Sequence, residues 1–194
     1  RVRHGLVLAC LGDTGKLTYK KSRRGDAEID RAVMKALKDA AAPHEVLEFS
    51  PYGYDERQFC SPGINLSVGC FMRTPHGRFA EYHTSADNLD FVKTECLSES
   101  FAMCLAVFQI LENNRTLVNL NPKCEPQLGK RGLYGSIGGH SDGRLRELAL
   151  LWVLNMSDGG HGLLDIADRS GLPFSLIQSA AQALEQHGLL EERG

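Results

Sequence analysis

The chain has 194 residues, a length that suits one medium domain or one domain followed by a small one. Hydrophobic residues make up 42% of it and charged residues 24%, as is ordinary for a globular protein. A formal net charge of −2 gives no bulk attraction to nucleic acid or to an anionic membrane, and no apolar run reaches the roughly 18 residues of a membrane span.

Six cysteines are scattered along the chain without a CxxC pair. Several lie in apolar stretches, where a thiol behaves as a small hydrophobe. This pattern favours a reducing cytoplasm over a disulfide framework, so we expect a cytoplasmic protein. The chain begins with Arg1-Val2-Arg3 and has no initiator Met, so we expect a fragment whose targeting signals, if any, lie outside it.

Strand-like and helix-like segments alternate in the first half of the chain. Residues 4–11 (HGLVLACL) form an apolar run that predicts a buried strand, followed by a turn at 12–15 (GDTG). Residues 16–24 (KLTYKKSRR) hold five basic side chains, which predicts a solvated hairpin or loop, or alternatively the anion-attracting rim of a cleft. A helix begins at Asp26 and is ended by Pro43.

Two further strands and a long helix complete this half. Residues 44–49 and 63–71 are the predicted strands, and residues 95–113 the predicted helix. The helix has a wide apolar face that we expect to be buried, made of Leu97, Phe101, Cys104, Leu105, Phe108 and Leu111. This order of elements is typical of an α/β layered domain, which we assign to residues 1–121.

The composition changes in the second half. Residues 122–142, rich in Gly and Pro, are the predicted linker, and residues 143–194 hold three helical patterns (144–155, 162–170 and 173–186) and a short strand at Leu189 and Leu190. This order predicts a small winged-helix domain. The last helical pattern carries no Lys or Arg, and residues 141–194 hold eight acids against four arginines. Charge therefore argues against nucleic acid and favours a protein-interaction or dimerisation module.

Two loops hold the best local concentration of chemical groups, residues 52–58 (YGYDERQ) and 81–88 (EYHTSADN). Binding and catalytic groups are often presented on loops beside strands. The candidates that the residues alone suggest are Asp55, Glu56, Tyr82, His83 and Asp87. A lone histidine is more often structural than a ligand, and the aromatic ring of Tyr82 is as well explained by packing on a sheet.

The second loop also carries the strongest family signal. Its segment Tyr82-His83-Thr84-x-x-Asp87 resembles the YHTxxD segment of the dinuclear-zinc aminopeptidase and glutamate carboxypeptidase-like superfamily. Longer runs look like a bacterial aminopeptidase-like family with a C-terminal winged-helix domain: SRRGDAEIDR, YGYDERQFCSPG, RTPHGRFAEYHTSADN and NPKCEPQLGKRGLY. The resemblance covers most of the chain and implies the fold of part of a layered αβα zinc-peptidase domain followed by a winged helix.

The resemblance also implies a metal site. In such enzymes two Zn²⁺ ions share a bridging carboxylate and a bridging water, and they activate that water and polarise the scissile carbonyl of a peptide or small amide. His83 matches the final imidazole ligand of one zinc. Asp13 is the candidate ligand of the other, although Cys10 stands nearer to the family's position and Asp13 also suits an Asx turn.

Two further residues take catalytic roles by the same resemblance. Asp55 matches an acid that orients a ligand or shares a proton with the base, although an ordinary ion pair of Arg57 with Asp55 or Glu56 is an equal alternative. Its neighbour Glu56 replaces a histidine of the family. Tyr82 would donate its hydroxyl to the developing oxyanion. Asp87 and Asn88 are also explained as caps of the following turn.

Several parts of the family's site are missing from this sequence. Only twelve residues precede Asp13, and they contain neither the upstream His with its bridging Asp nor the Glu-Glu pair with the general base. We therefore expect an incomplete zinc aminopeptidase-like hydrolase that binds metal weakly and has no turnover. The alternative is a catalytically silent relative that acts as a protein-interaction or regulatory module, with a homodimer as a further option.

Overall fold

The computed structural model of the chain describes residues 2–134 and 141–193. It divides the chain into two compact units, Arg1–Leu111 and Glu112–Gly194. The predicted α/β class with a winged helix at the C-terminal end is confirmed.

The first unit is built on a mixed four-stranded sheet. Its elements are β1 (His4–Leu8), β2 (Leu17–Lys20), α1 (Glu28–Asp39), β3 (His44–Leu47), α2 (Glu56–Phe59), β4 (Ser67–Met72) and α3 (Thr94–Asn113). The strand order is β1-β4-β2-β3, with β1 parallel to β4, β2 antiparallel to β4 and β2 parallel to β3. The carboxyl ends of β1 and β4 therefore lie at the same edge of the sheet.

The predicted strands and helices of this unit are confirmed, with shifted ends. The predicted strand at 63–71 begins at Ser67, and the four-residue helix α2 was not predicted. Helix α1 buries Ile29, Val33 and Leu37 at four-residue spacing, because one side of a helix covers the sheet while the other remains in solvent.

The prediction of a solvated loop at residues 16–24 is wrong. Its middle is β2, a central strand with all four residues buried. Tyr19 is fully buried and donates its hydroxyl to Asp30 at 2.8 Å. Asp30 also accepts from the backbone N and the Oγ of Ser22, both at 2.6 Å. The buried Lys20 pairs with Glu56 at 2.9 Å. Acids elsewhere in the chain thus compensate the basic and polar groups of this strand.

Helix α3 also differs from its prediction. Its buried residues are Ser100, Met103, Cys104, Val107 and Ile110. Four of the six residues predicted to be buried are instead exposed: Leu97, Phe101, Leu105 and Phe108. In the described part of the chain α3 is also the one helix long and apolar enough to cross a membrane, but a helix packed in a globular protein passes the same test, so this is weak support for a span.

The second unit is a winged helix. It consists of β5 (Thr116–Asn119), a 3₁₀ helix (Gly129–Arg131), α4 (Ser141–Met156), β6 (Asp158–Gly162), α5 (Leu163–Ser170), α6 (Phe174–Gln186) and β7 (Leu190–Glu192). The three strands form an antiparallel sheet in the order β6-β5-β7. Leu150, Leu164 and Ile177 lie in the core of this unit.

The boundary between the units falls before the predicted linker at 122–142. Strand β5 pairs with β6 and β7, so residues 116–119 belong to the sheet of the second unit although the prediction placed them in the first domain. Within the predicted linker, residues 135–140 lie outside the described residues. All six cysteines are free thiols.

Candidate active site

The loops that follow β1 and β4 are tied together by Asp13. Its buried carboxylate accepts from the Gly15 backbone N at 2.7 Å, from Thr74 Oγ1 at 2.6 Å and from the Thr74 backbone N at 3.1 Å. A Cβ on Gly15 would lie 2.2 Å from Thr74 Oγ1, so this close approach needs a glycine. The predicted Asx turn is present, and the oxygens of Asp13 are used to hold the β4 loop.

Arg73, at the start of the loop after β4, also connects this loop to the loop after β1. Its buried guanidinium donates to the Gly15 carbonyl at 2.7 Å, to Ser100 Oγ at 3.2 Å and to Glu99 Oε2 at 2.5 Å. Ser100 in turn donates to the Leu11 carbonyl at 3.0 Å. The loop that leads to His76 is therefore anchored to the β1 loop and to α3.

His76 is the centre of an aromatic cluster. Its ring lies 5.3 Å from the ring of Tyr52, 4.9 Å from that of Tyr54 and 6.0 Å from that of Tyr82. The Tyr82 ring stacks on His83 at 4.0 Å with the ring planes 15° apart. We call Tyr52, Tyr54, His76, Tyr82 and His83 the His76 cluster. It joins the loops after β3 and β4, which are more than twenty residues apart in the sequence.

Tyr54 connects this cluster to the end of β1. Its hydroxyl lies 3.2 Å from Cys10 Sγ and accepts from the His76 backbone N at 3.2 Å. Burial and the Cys10 contact raise the pKa of Tyr54 well above its ordinary value, so the phenol stays protonated. Cys10 has a positive φ of 47°, a left-handed conformation that costs energy for a side chain other than glycine. The site therefore holds a protonated donor beside a thiol.

The His76 cluster also contains a buried polar atom without a partner. Among the described residues nothing bonds to His76 Nδ1, although this nitrogen is inaccessible to solvent. Such an atom costs free energy unless a partner meets it, and unpaired buried atoms in native structures call for an explanation. Glu56 Oε2, which lies near the same loop, is likewise buried without a partner in the described part of the chain.

A buried ion pair supports the loop that carries the two tyrosines. Lys20 Nζ donates to Glu56 Oε1 at 2.9 Å and to the Tyr52 carbonyl at 2.8 Å. A Cβ on Gly53 would lie only 2.3 Å from Glu56 Oε1, so the loop closes tightly over the pair. Beside it lies a cavity of about 250 Å³ whose lining includes Lys20, Leu47, Tyr52, Tyr54, Met72 and His76.

The structure brings two of the four predicted site residues together. Tyr82 and His83 stack within the His76 cluster. Asp55 is exposed, precedes α2 and follows Tyr54 of the cluster in the sequence. Glu56, one of the two acids considered as an ion-pair partner of Arg57, pairs with Lys20 instead. Asp13 is linked to the cluster only indirectly, through the loop of Thr74.

His83 itself is exposed and has a positive φ of 59°. Across the described ranges its imidazole makes no hydrogen bond or ion pair, so both ring nitrogens are open to a ligand. Those ranges contain no group of three His, Cys, Asp or Glu side chains able to hold a metal ion. The described residues therefore do not by themselves make up a zinc site.

Sequence reasoning missed His76 and Tyr54. Both were visible only as parts of loops, in the turn Pro75-His76-Gly77 and in the segment Tyr54-Asp55-Glu56. The sequence does show that aromatic and histidine rings are concentrated in this region. Four of them, Tyr52, Tyr54, His76 and Tyr82, fall within about thirty residues and lie in loops rather than in strands, where binding and catalytic groups are often found.

Fold and site define an α/β unit with a loop-borne histidine and tyrosine cluster, followed by a winged helix. The chain belongs to the family described as "Domain of unknown function (DUF4910)", which it matches over residues 1–114. Residues 115–192 match the winged helix-turn-helix family.

A relative from Clostridium acetobutylicum is named "Putative polysaccharide biosynthesis protein with aminopeptidase-like domain". It is 53% identical over 190 residues, which make up 98% of this chain and 44% of the relative. A solved structure described as a "putative peptidase" from the same organism has a TM-score of 0.90 and 50% identity, covering 99% of this chain and 42% of that one. The chain thus spans less than half the length of the proteins that it matches.

Proposed function

We propose that this chain is part of a zinc-dependent aminopeptidase-like hydrolase that cleaves peptides or small amides, and that the His76 cluster is its share of the active site. One observation carries the proposal: the stacked Tyr82 and His83 lie beside the half-buried His76, which has a buried unpaired nitrogen, and the protonated Tyr54. The names of the Clostridium proteins, an aminopeptidase-like domain and a peptidase, point in the same direction.

Each ring of the cluster suits a separate task. The exposed His83 imidazole is the proposed metal ligand, and stacking on Tyr82 fixes the plane of its ring. The Tyr82 hydroxyl is the proposed donor to the oxyanion that forms when an amide carbonyl is attacked. Tyr54 holds the His76 backbone, so its proposed role is to position the half-buried imidazole without touching the substrate. Asp55 stays a candidate for orienting a ligand from the rim.

The zinc site needs ligands beyond those described in this chain. Asp13 remains a proposed ligand, but its oxygens hold Thr74 and Gly15, so binding a metal there would require that the loop rearrange. We therefore propose that the remaining ligands and the general base belong to the additional length found in the relatives. By itself this chain would bind zinc weakly and hydrolyse no amide.

Zinc titration of the 194-residue chain against a chromophoric chelator tests the role of His83. We expect one weak site, with an affinity poorer than about micromolar, that is lost in His83→Ala. His161→Ala is the matched control, because His161 is also exposed but bonds to Asp158 in the second unit. If His83→Ala and wild type bind zinc equally, His83 is not a ligand.

Hydrolysis of aminoacyl-arylamides by the longer Clostridium relative tests the reaction class. We expect cleavage that is lost when alanine replaces the histidine aligned with His83, and that survives the change at the position aligned with His161.

The second candidate function is a catalytically silent protein-interaction module. The outward side of α6 is neutral and polar, with Ser175, Ser179, Gln182 and Gln186 exposed and no basic residue on the helix. Such a surface lacks the phosphate-binding charge that DNA requires and suits a protein partner instead. Intact zinc binding without amide hydrolysis in the longer relative would favour this reading.

A further inference from the structure

Helix α3 is apolar on two sides, and only one of them is covered. Met103, Val107 and Ile110 are buried. On the other side Phe101 exposes 65% of its surface, Leu97 and Leu105 expose 45% each, and Phe108 exposes 47%. We call these four exposed residues the α3 stripe.

The α3 stripe is continuous along the helix. Its members follow one another at spacings of four, four and three residues, which places them on one face over a length of about 16 Å. A helix that is apolar all round is normally buried on all sides. Scattered single apolar residues are normal on a protein surface, but a contiguous row of this kind marks an interaction site.

The sheet of the same unit has an open edge. In the part of the chain that the structure describes, β1 pairs with β4 on one side and with no strand on the other. Its last residue, Leu8, is half exposed. Parallel strands are normally covered on both faces and protected at their edges. Strand β1 and the α3 stripe therefore both lack a neighbour.

The α3 stripe itself carries little charge. The helix has Glu95, Glu99 and Glu112 and no Lys or Arg. By the helical spacing of 3.6 residues per turn, Glu95 and Glu99 lie on the side of α3 away from the stripe, and Glu99 pairs with Arg73. The surface that complements the stripe is therefore apolar.

The relatives contain enough additional chain to supply such a surface. The match covers nearly all of this chain but 44% of the Clostridium relative, so more than half of that polypeptide lies outside the matched region. We propose that the α3 stripe is an intramolecular interface, covered by that additional polypeptide through an apolar surface. The inference is independent of the proposed function, because the exposed apolar residues of the α3 stripe would have to be buried in an active enzyme and in a catalytically silent relative alike.

Thiol labelling at Phe101 tests this interface. Phe101→Cys in the 194-residue chain, and a cysteine at the aligned position of the longer relative, are pulsed with a maleimide and located by mass spectrometry. Ser175→Cys and its aligned position are the controls, because Ser175 is exposed on α6. We expect labelling at position 101 to be as fast as the control in this chain and about tenfold or more slower than the control in the relative.

Two outcomes would overturn the proposal. One is labelling in the longer relative that is as fast as at the control position. The other is a dimer of the 194-residue chain, seen by light scattering, that Phe101→Asp dissociates, because the occupant would then be a second copy. Hydrogen exchange of the α3 peptides in both unmodified proteins gives the same comparison if a cysteine variant fails to fold: protection found only in the relative supports the interface, and equal exchange overturns it.

Discussion

The buried pair of Lys20 and Glu56 offers the sharpest test of the first unit. Lys20→Met keeps a chain of similar length but removes the ammonium that meets Glu56 Oε1 at 2.9 Å and the Tyr52 carbonyl at 2.8 Å. Both side chains are almost completely buried. The substitution therefore leaves a carboxylate in the core without its partner.

The expected cost follows from this burial. Removing one partner of a buried ion pair costs about 3–5 kcal/mol, because the other charge stays desolvated. The neighbouring residue supplies a matched control, since Lys21 pairs with Glu48 at 2.7 Å where Glu48 is largely exposed. Lys21→Met should cost about 0–1 kcal/mol. The substitutions of these two consecutive lysines thus differ in cost by about 2–5 kcal/mol.

Pulse labelling of Cys70 in a urea series measures the difference. Cys70 lies in β4 and is fully buried, so its thiol reacts only when the first unit opens. The single Trp of the chain, Trp152, lies in the second unit and reports on that unit instead. We expect Lys20→Met to expose Cys70 at much lower urea, or without urea. Equal midpoints for Lys20→Met and Lys21→Met would refute the burial argument.

Three further predictions concern stability. Asp13→Ala should lower the free energy of unfolding of the first unit by about 2–3 kcal/mol, measured by Cys70 labelling, because it removes three hydrogen bonds to a buried carboxylate. Burial raises the pKa of the Cys70 thiol, so the unfolded state loses that proton first as the pH rises. The free energy of unfolding of the first unit should then fall above about pH 9, by up to ~1.4 kcal/mol per pH unit. In Cys70→Ala, with unfolding measured by labelling of the buried Cys60, this dependence on pH should be weaker. Arg115→Ala should cost the second unit about 1 kcal/mol by Trp152 fluorescence, because it removes a bidentate pair at 2.7 and 2.9 Å.

Local periodicity was enough to predict most of the fold. The spacing of Ile29, Val33 and Leu37 specifies the buried side of α1 without knowledge of the sheet. The strand at Leu17–Lys20 was missed because its charge is compensated by Asp30 and Glu56, residues that only the folded chain brings near. A basic run therefore indicates solvent only when no acid elsewhere is placed to meet it.

The candidate site was predictable in part. Tyr82 and His83 belong to one contiguous motif, so the sequence alone could single them out. Tyr54 and His76 lie 22 residues apart and meet because the β3 and β4 loops fold over the same region. For Asp13 the Asx-turn alternative matches the observed bond to Gly15, while its role as a metal ligand stays a prediction.

The zinc content of the longer Clostridium relative tests the central claim most directly. Measured by inductively coupled plasma mass spectrometry on the purified protein, it should be two zinc ions per chain if the resemblance to dinuclear aminopeptidases holds. Replacing the histidine aligned with His83 by alanine should remove at least one ion, while the same change at the position aligned with His161 should remove none. A zinc-free relative, or full zinc content without the aligned histidine, would contradict the account.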